Sequence, residues 1–161
     1  MQRRLLLASA APAALAACGF QLRKAPDFAF DTIFIGGTPN SPLSNELRRT
    51  IGASGNVQVV DATRAQVVLD ILADQREKVV VGLNASGQVR EFQLRTRIRF
   101  RLRTAQGKEL IPETELLQQR DISFNESAAL AKEGEENLLY RTMQSELVQQ
   151  LMRRLAAVKA L

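Results

Sequence analysis

Val89-Arg90-Glu91-Phe92-Gln93-Leu94-Arg95-Thr96-Arg97-Ile98-Arg99-Phe100-Arg101-Leu102-Arg103 alternates apolar and charged residues with a period of two. That period is the mark of a β-strand with one buried face. Phe92, Leu94, Ile98, Phe100 and Leu102 point one way, and only Thr96 interrupts them. Arg95, Arg97, Arg99, Arg101 and Arg103 point the other way.

Val67 to Val81 reads as a preceding strand, with Val67, Leu69 and Ile71 on one face and Asp70 and Asp74 on the other. Asn84-Ala85-Ser86-Gly87 supplies the hairpin turn between the two. On the far side, Gln106-Gly107 turns the chain into a strand running roughly from Glu109 to Phe124, where Pro112 marks an edge or a bulge. Phe28 to Ile35 should form the first strand, followed by the loop Gly36-Gly37-Thr38-Pro39-Asn40. The Gly-Gly pair lacks the spacing and the lysine of a phosphate loop, so it reads as turn chemistry. Ser41-Pro42 is a helix start, with Ser as N-cap and Pro at the first helical position. Leu43, Leu47 and Ile51 make one apolar stripe, and Gly52 or Gly55 ends the helix. Val57 to Val60 is either a short strand or the entry to a longer one.

Asn125-Glu126 opens a long second helix, combining a capping side chain with an acid near the positive dipole end. Its stripe contains Leu139, Met143, Leu147, Leu151 and Leu155, widened by Tyr140, Val148 and Val158. The order β-α-β-β-β-α predicts an α/β (α+β) two-layer sandwich: a four-stranded, mostly antiparallel sheet with two helices on one face.

The N-terminus carries a different kind of information. Arg3-Arg4 precede an apolar run from Leu5 to Ala14, and Leu15-Ala16-Ala17-Cys18 follows. A positive n-region, an h-region too short to span a bilayer and small residues before a cysteine form a secretory leader ending in a lipobox. Residues 1–17 are expected to be cleaved. Cys18 should then carry diacylglycerol and an N-acyl chain, residues 18–27 should form a tether, and residues 28–161 a single domain. Gly19, where an Asp would favour retention at the inner membrane, points to the outer membrane, periplasmic side.

Composition narrows the function further. Lys and Arg number 22 against 17 Asp and Glu; loss of Arg3 and Arg4 lowers the formal charge from +5 to +3. That excess is too small to argue for nucleic acid, and the compartment disfavours it. The chain has no histidine and one cysteine. Ser-His-Asp and Cys-His catalysis, histidine-built metal sites and disulfides are therefore excluded. No cofactor and no metal are expected.

Two features could carry binding. Arginines two apart on one strand face stand about 6.6 Å from one another, so the ladder needs negative neighbours. An anionic ligand is one reading, since guanidinium forks grip phosphates and carboxylates. Internal pairing is the other: Glu113, Glu115 and Asp121 share a face of the next strand, and Asp70 and Asp74 are expected to share a face of the previous one. A protein partner on that face is compatible with both. Glu126, Glu133, Glu135 and Glu136 crowd the start of the second helix beside Lys132, which reads as a solvated, salt-bridged surface rather than a paired-acid catalytic site. No catalytic residue is assigned.

Cys-Gly-Phe-Gln-Leu-Arg at 18–23, Pro-Leu-Ser at 42–44, the hairpin 84–88 leading to Glu91-Phe92-Gln93, and Phe124-Asn125-Glu126 followed by Ala129-Leu130-Ala131-Lys132-Glu133 and Leu139-Tyr140 occur in an order and spacing that resemble the LPS-assembly lipoprotein LptE family of diderm bacteria. The resemblance covers nearly all of the mature chain. It implies a non-enzymatic outer-membrane lipoprotein that sits in an LptD-like β-barrel as a heterodimer, helps that barrel assemble, and binds lipopolysaccharide on its way to the cell surface. Lys132 matches a family position implicated in lipopolysaccharide binding. The other such position, at the hairpin tip, is Ala85 here, which leaves Arg90 as the substitute just beyond the turn. The alternative is another outer-membrane lipoprotein of similar fold that regulates a periplasmic cell-wall enzyme.

Overall fold

A computed structural model describes residues 26–161. The expected leader, Cys18 and nearly all of the expected tether lie outside the described residues. The chain forms β1 (Thr32–Gly36), α1 (Pro42–Ala53), β2 (Gln58–Val59), β3 (Val67–Leu83), β4 (Val89–Thr104), β5 (Glu109–Ser123), a single 3-10 turn (Glu126–Ala128) and α2 (Ala129–Ala156). The sheet has five strands, in the order β2-β1-β3-β4-β5, rather than the expected four. β1 runs parallel to both β2 and β3, and β3, β4 and β5 pair antiparallel. The extra strand is the segment that sequence left open as a short strand. It is two residues long and exists only through its pairing with β1. The first strand begins at Thr32 rather than Phe28; Phe28 and Phe30 instead stack with ring centroids 5.4 Å apart, and Phe30 is buried against the core.

Both helices cover one face of the sheet. Leu43, Leu47 and Ile51 of α1 and Leu147, Val148, Leu151 and Leu155 of α2 join Ile33 and Ile35, Val67 and Leu69, and Ile98, Phe100 and Leu102 in one buried cluster. Ser41 caps α1 by accepting a hydrogen bond from Ser44 N at 3.0 Å, with Pro42 at the first helical position. Asn125 caps the 3-10 turn rather than α2 itself, so the second helix begins three residues later than expected. Gly37 has φ +127°, and a Cβ there would lie 2.9 Å from Ile71 Cβ, so the turn after β1 requires glycine on both counts. Among the described residues no helix is long and apolar enough to cross a membrane.

One irregularity redirects the side chains of β3. Ile71 pairs with Phe100 but Ala73 pairs with Arg99, so Leu72 is an extra residue, a β-bulge. A one-residue shift exchanges the faces of everything beyond it. Asp70 stays opposite Arg101 on the open face. Asp74, opposite Ile98, moves to the helix-covered side, followed by Arg76 and Lys78. The expectation that Asp70 and Asp74 share a face is corrected by this bulge.

Candidate functional site

The arginines of β4 line the face of the sheet that no helix covers. Arg101 Nε and Arg103 Nε both donate to Asp70 Oδ2, each at 2.9 Å. Arg99 Nη1 lies 3.2 Å from Glu113 Oε1, and Arg97 Nε lies 3.7 Å from Glu115 Oε1. Arg95 Nε donates to Gln93 Oε1 at 2.8 Å, and Gln93 in turn donates to Asp121 Oδ1 at 3.0 Å. Four of the five guanidiniums thus meet a carboxylate directly, and the fifth meets one through an amide. The counter-charges come from both flanking strands, as the register across β4 requires.

Asp70 is the most committed of these carboxylates. Burial works to raise its pKa, but the hydrogen bonds and charges of Arg103 and Arg101 outweigh it and hold the group below its ordinary value. A carboxyl that is more acidic folded than unfolded adds stability above its unfolded pKa and loses it as pH falls through the folded one. Wild-type stability should therefore drop through and below the usual carboxylate range, and Asp70→Asn should flatten that part of the profile while lowering stability at neutral pH. Thermal melts across the acid range measure both. Parallel profiles for the two proteins would remove Asp70 from the account.

On the helix side, a cleft of about 340 Å³ opens where β5 leads into α2. Phe92, Ile122 and Phe124 form its apolar part; Lys78 and Lys132 bring two ammonium groups, Glu133 and Glu136 two carboxylates, and Ser123 a hydroxyl. Phe92 and Phe124 meet edge to face at 5.3 Å between centroids. Lys132 Nζ donates to Ser123 Oγ at 3.1 Å and to Glu135 Oε2 at 2.8 Å. Lys78 Nζ pairs with Glu136 and sits 4.3 Å from the centroid of the Phe92 ring. Lys78 was not singled out from sequence. Its signal is hidden, because strand alternation alone places it on the open face and only the bulge at Leu72 turns it toward the helices.

Arg90 does not join this cleft. It lines a second one of about 250 Å³ with Gln88, Val89, Asn125, Glu126 and Ser127. The two clefts flank the Phe124-Asn125 turn, and Phe124 N donates to Arg90 O at 2.7 Å. Ala85 is exposed at the tip of the β3–β4 hairpin. The turn itself is built by Asn84 Oδ1, which accepts from Ser86 N at 3.0 Å and Gln88 N at 2.9 Å. Among the described residues there is no cluster of three metal-ligating side chains.

The molecule is a small α+β domain with an ion-paired open sheet face and, at one end, a cleft that combines apolar side chains with paired lysines and glutamates. Comparison with known proteins gives it a family. The model of the LptE lipopolysaccharide-assembly family matches residues 30–155, and the chain belongs to that family. It is a family of lipopolysaccharide assembly rather than of enzymes. The chain is 27% identical over 152 residues to the LPS-assembly lipoprotein LptE of Pectobacterium atrosepticum, covering 89% of this chain and 79% of that one. It is 28% identical over 165 residues to the LptE of Yersinia enterocolitica, covering 97% and 76%. The solution structure of lipoprotein B from Nitrosomonas europaea superposes with a TM-score of 0.76 at 33% identity, covering 86% of this chain and 90% of that one.

Proposed function

We propose that this chain is an outer-membrane lipoprotein, held on the periplasmic side by acyl chains on Cys18, that binds an LptD-like β-barrel, assists its assembly, and takes part in lipopolysaccharide transport to the outer-membrane surface and insertion there. The observation that carries this reading is the family match across residues 30–155. The cleft around Lys132 supports its ligand half. Acyl chains and phosphates occur together in lipopolysaccharide, and here an aromatic floor lies beside two ammonium groups, each paired with a glutamate that an anionic ligand would have to displace. The existing pair of Lys132 with Glu135 is a partly exposed i,i+3 contact, worth about 0.3–0.5 kcal/mol. A charge-assisted bond to a phosphate is worth about 1.5–3 kcal/mol, so the lysine can exchange one for the other. Arg90, one turn of chain away, would extend the cationic surface.

Mild-detergent purification from native membranes tests the reading. The expected product is a one-to-one complex with an LptD-like barrel, and Lys132→Glu should leave that complex intact while weakening lipopolysaccharide binding by about tenfold. A protein that purifies alone overturns the barrel assignment. Equal lipopolysaccharide affinity in both proteins leaves Lys132 with only its contacts to Glu135 and Ser123.

A further inference from the structure

A larger cleft of about 770 Å³ lies between the two helices and the bulged part of β3, away from Lys132. Three guanidiniums enter it from three elements: Arg49 from α1, Arg76 from β3 and Arg141 from α2. Among the described residues its wall has one carboxylate, Glu46, and both oxygens of that group are engaged by neutral donors. Gln144 Nε2 donates to Oε2 at 2.6 Å and Ser145 Oγ to Oε1 at 2.7 Å. Gln144 is buried, and its other end accepts from Arg76 Nη2 at 2.6 Å. Arg76 is held further by stacking 5.5 Å from the centroid of Tyr140. The floor is thus preset by a chain of hydrogen bonds running Arg76–Gln144–Glu46–Ser145.

The remaining charge is uncompensated. Arg141 Nε donates only to the carbonyl of Asn137 on its own helix, at 3.2 Å. Among the described residues the Arg49 side chain has no hydrogen bond or ion pair. Asp74 lies within electrostatic reach of Arg76, and Glu77 and Glu136 act on Tyr140, the ring that Arg76 stacks on. Two unpaired guanidinium forks facing one cleft favour an anion that can accept two hydrogen bonds at once, a phosphate or a carboxylate. The rest of the lining is polar: Asn45, Asn137 and Ser145 offer amides and a hydroxyl, the groups that bind sugar hydroxyls.

We infer that the cleft between α1 and α2 is a second binding site, for an anionic sugar gripped by Arg49 and Arg141. The choice of a sugar rests on the lipopolysaccharide reading above. The anion itself rests on the charge of the cleft alone.

The test is an amide-shift titration of the mature lipidated chain in nonionic detergent with glucose 1-phosphate, glucuronate, inorganic phosphate and glucose. Glucose 1-phosphate or glucuronate should shift the amides of Asn45, Arg49, Gln144 and Ser145, the stronger of the two naming the anion, and glucose should shift none. Arg49→Gln combined with Arg141→Gln should weaken binding by about tenfold or more. Glu46→Gln removes the one wall carboxylate and should tighten it, a change of opposite sign that mere loosening of the cleft would not give. Lys132→Glu should leave it unchanged, so failure of the Lys132 site and failure of this one are separate results. Unchanged affinity in the double variant, or no localised shift with either anionic sugar, overturns the site. Inorganic phosphate binding as tightly as glucose 1-phosphate overturns the sugar assignment.

Discussion

Phe100→Ala is expected to lower the stability of the domain by about 3–5 kcal/mol. Phe100 has no exposed surface and lies in β4 directly across from Ile71 on β3 and Thr114 on β5. The layer above it is supplied by both helices, which share its cluster. Removing the ring loses its transfer free energy and leaves a cavity that strands on two sides and helices above cannot easily collapse. Against a typical total of about 5–15 kcal/mol, that is a large fraction. Leu117→Ala is the internal control: Leu117 lies opposite Arg97 on the open face and is 43% exposed. Its truncation should cost well under half as much. Denaturant titration of both variants measures the difference, and equal midpoints would contradict a core confined to the helix-covered face.

Cys18→Ala is expected to abolish acylation and free the protein from the membrane or leave its leader attached. In the proposed processing Cys18 becomes the first residue of the mature protein, and the sequence holds no other cysteine to take over. Each buried methylene contributes about 0.8 kcal/mol, so several chains on one residue give firm attachment and their joint loss is close to total. Metabolic labelling with a fatty-acid analogue, followed by membrane fractionation, reads both effects. Label incorporated equally by the variant would refute the anchor.

The two candidate sites differ in how far sequence exposes them. Lys132 stands out because a short motif surrounds it, Ala129-Leu130-Ala131-Lys132-Glu133, and because a helix start is a local feature. Lys78 carries no such signal. The inter-helix cleft is further from view: Glu46 and Gln144 hydrogen-bond across 98 residues of chain, and Arg49, Arg76 and Arg141 lie on three separate elements. No spacing rule links residues that meet only when two helices are laid on one sheet.

Whatever depends on near neighbours can be read from the order of residues alone. The two-residue period of 89–103 settles which side of β4 is apolar, the stripe Leu43, Leu47 and Ile51 settles the inner face of α1, and Ser41-Pro42 and Asn84 to Gly87 mark a helix start and a turn. These are set by side-chain direction and backbone chemistry within a few residues. The fifth strand, the bulge at Leu72 and the choice of internal pairing for the arginines, with carboxylates already visible in the flanking strands, come from the assembled sheet. A two-residue strand is held by hydrogen bonds to β1 rather than by a pattern of its own. The bulge is a property of how β3 aligns with β4, and by shifting register one residue it sends Asp74, Arg76 and Lys78 to the helix side while leaving Asp70 to bridge Arg101 and Arg103. Period-two alternation fixes faces relative to the strand itself, whereas register is a long-range choice made by the packing of the whole sheet.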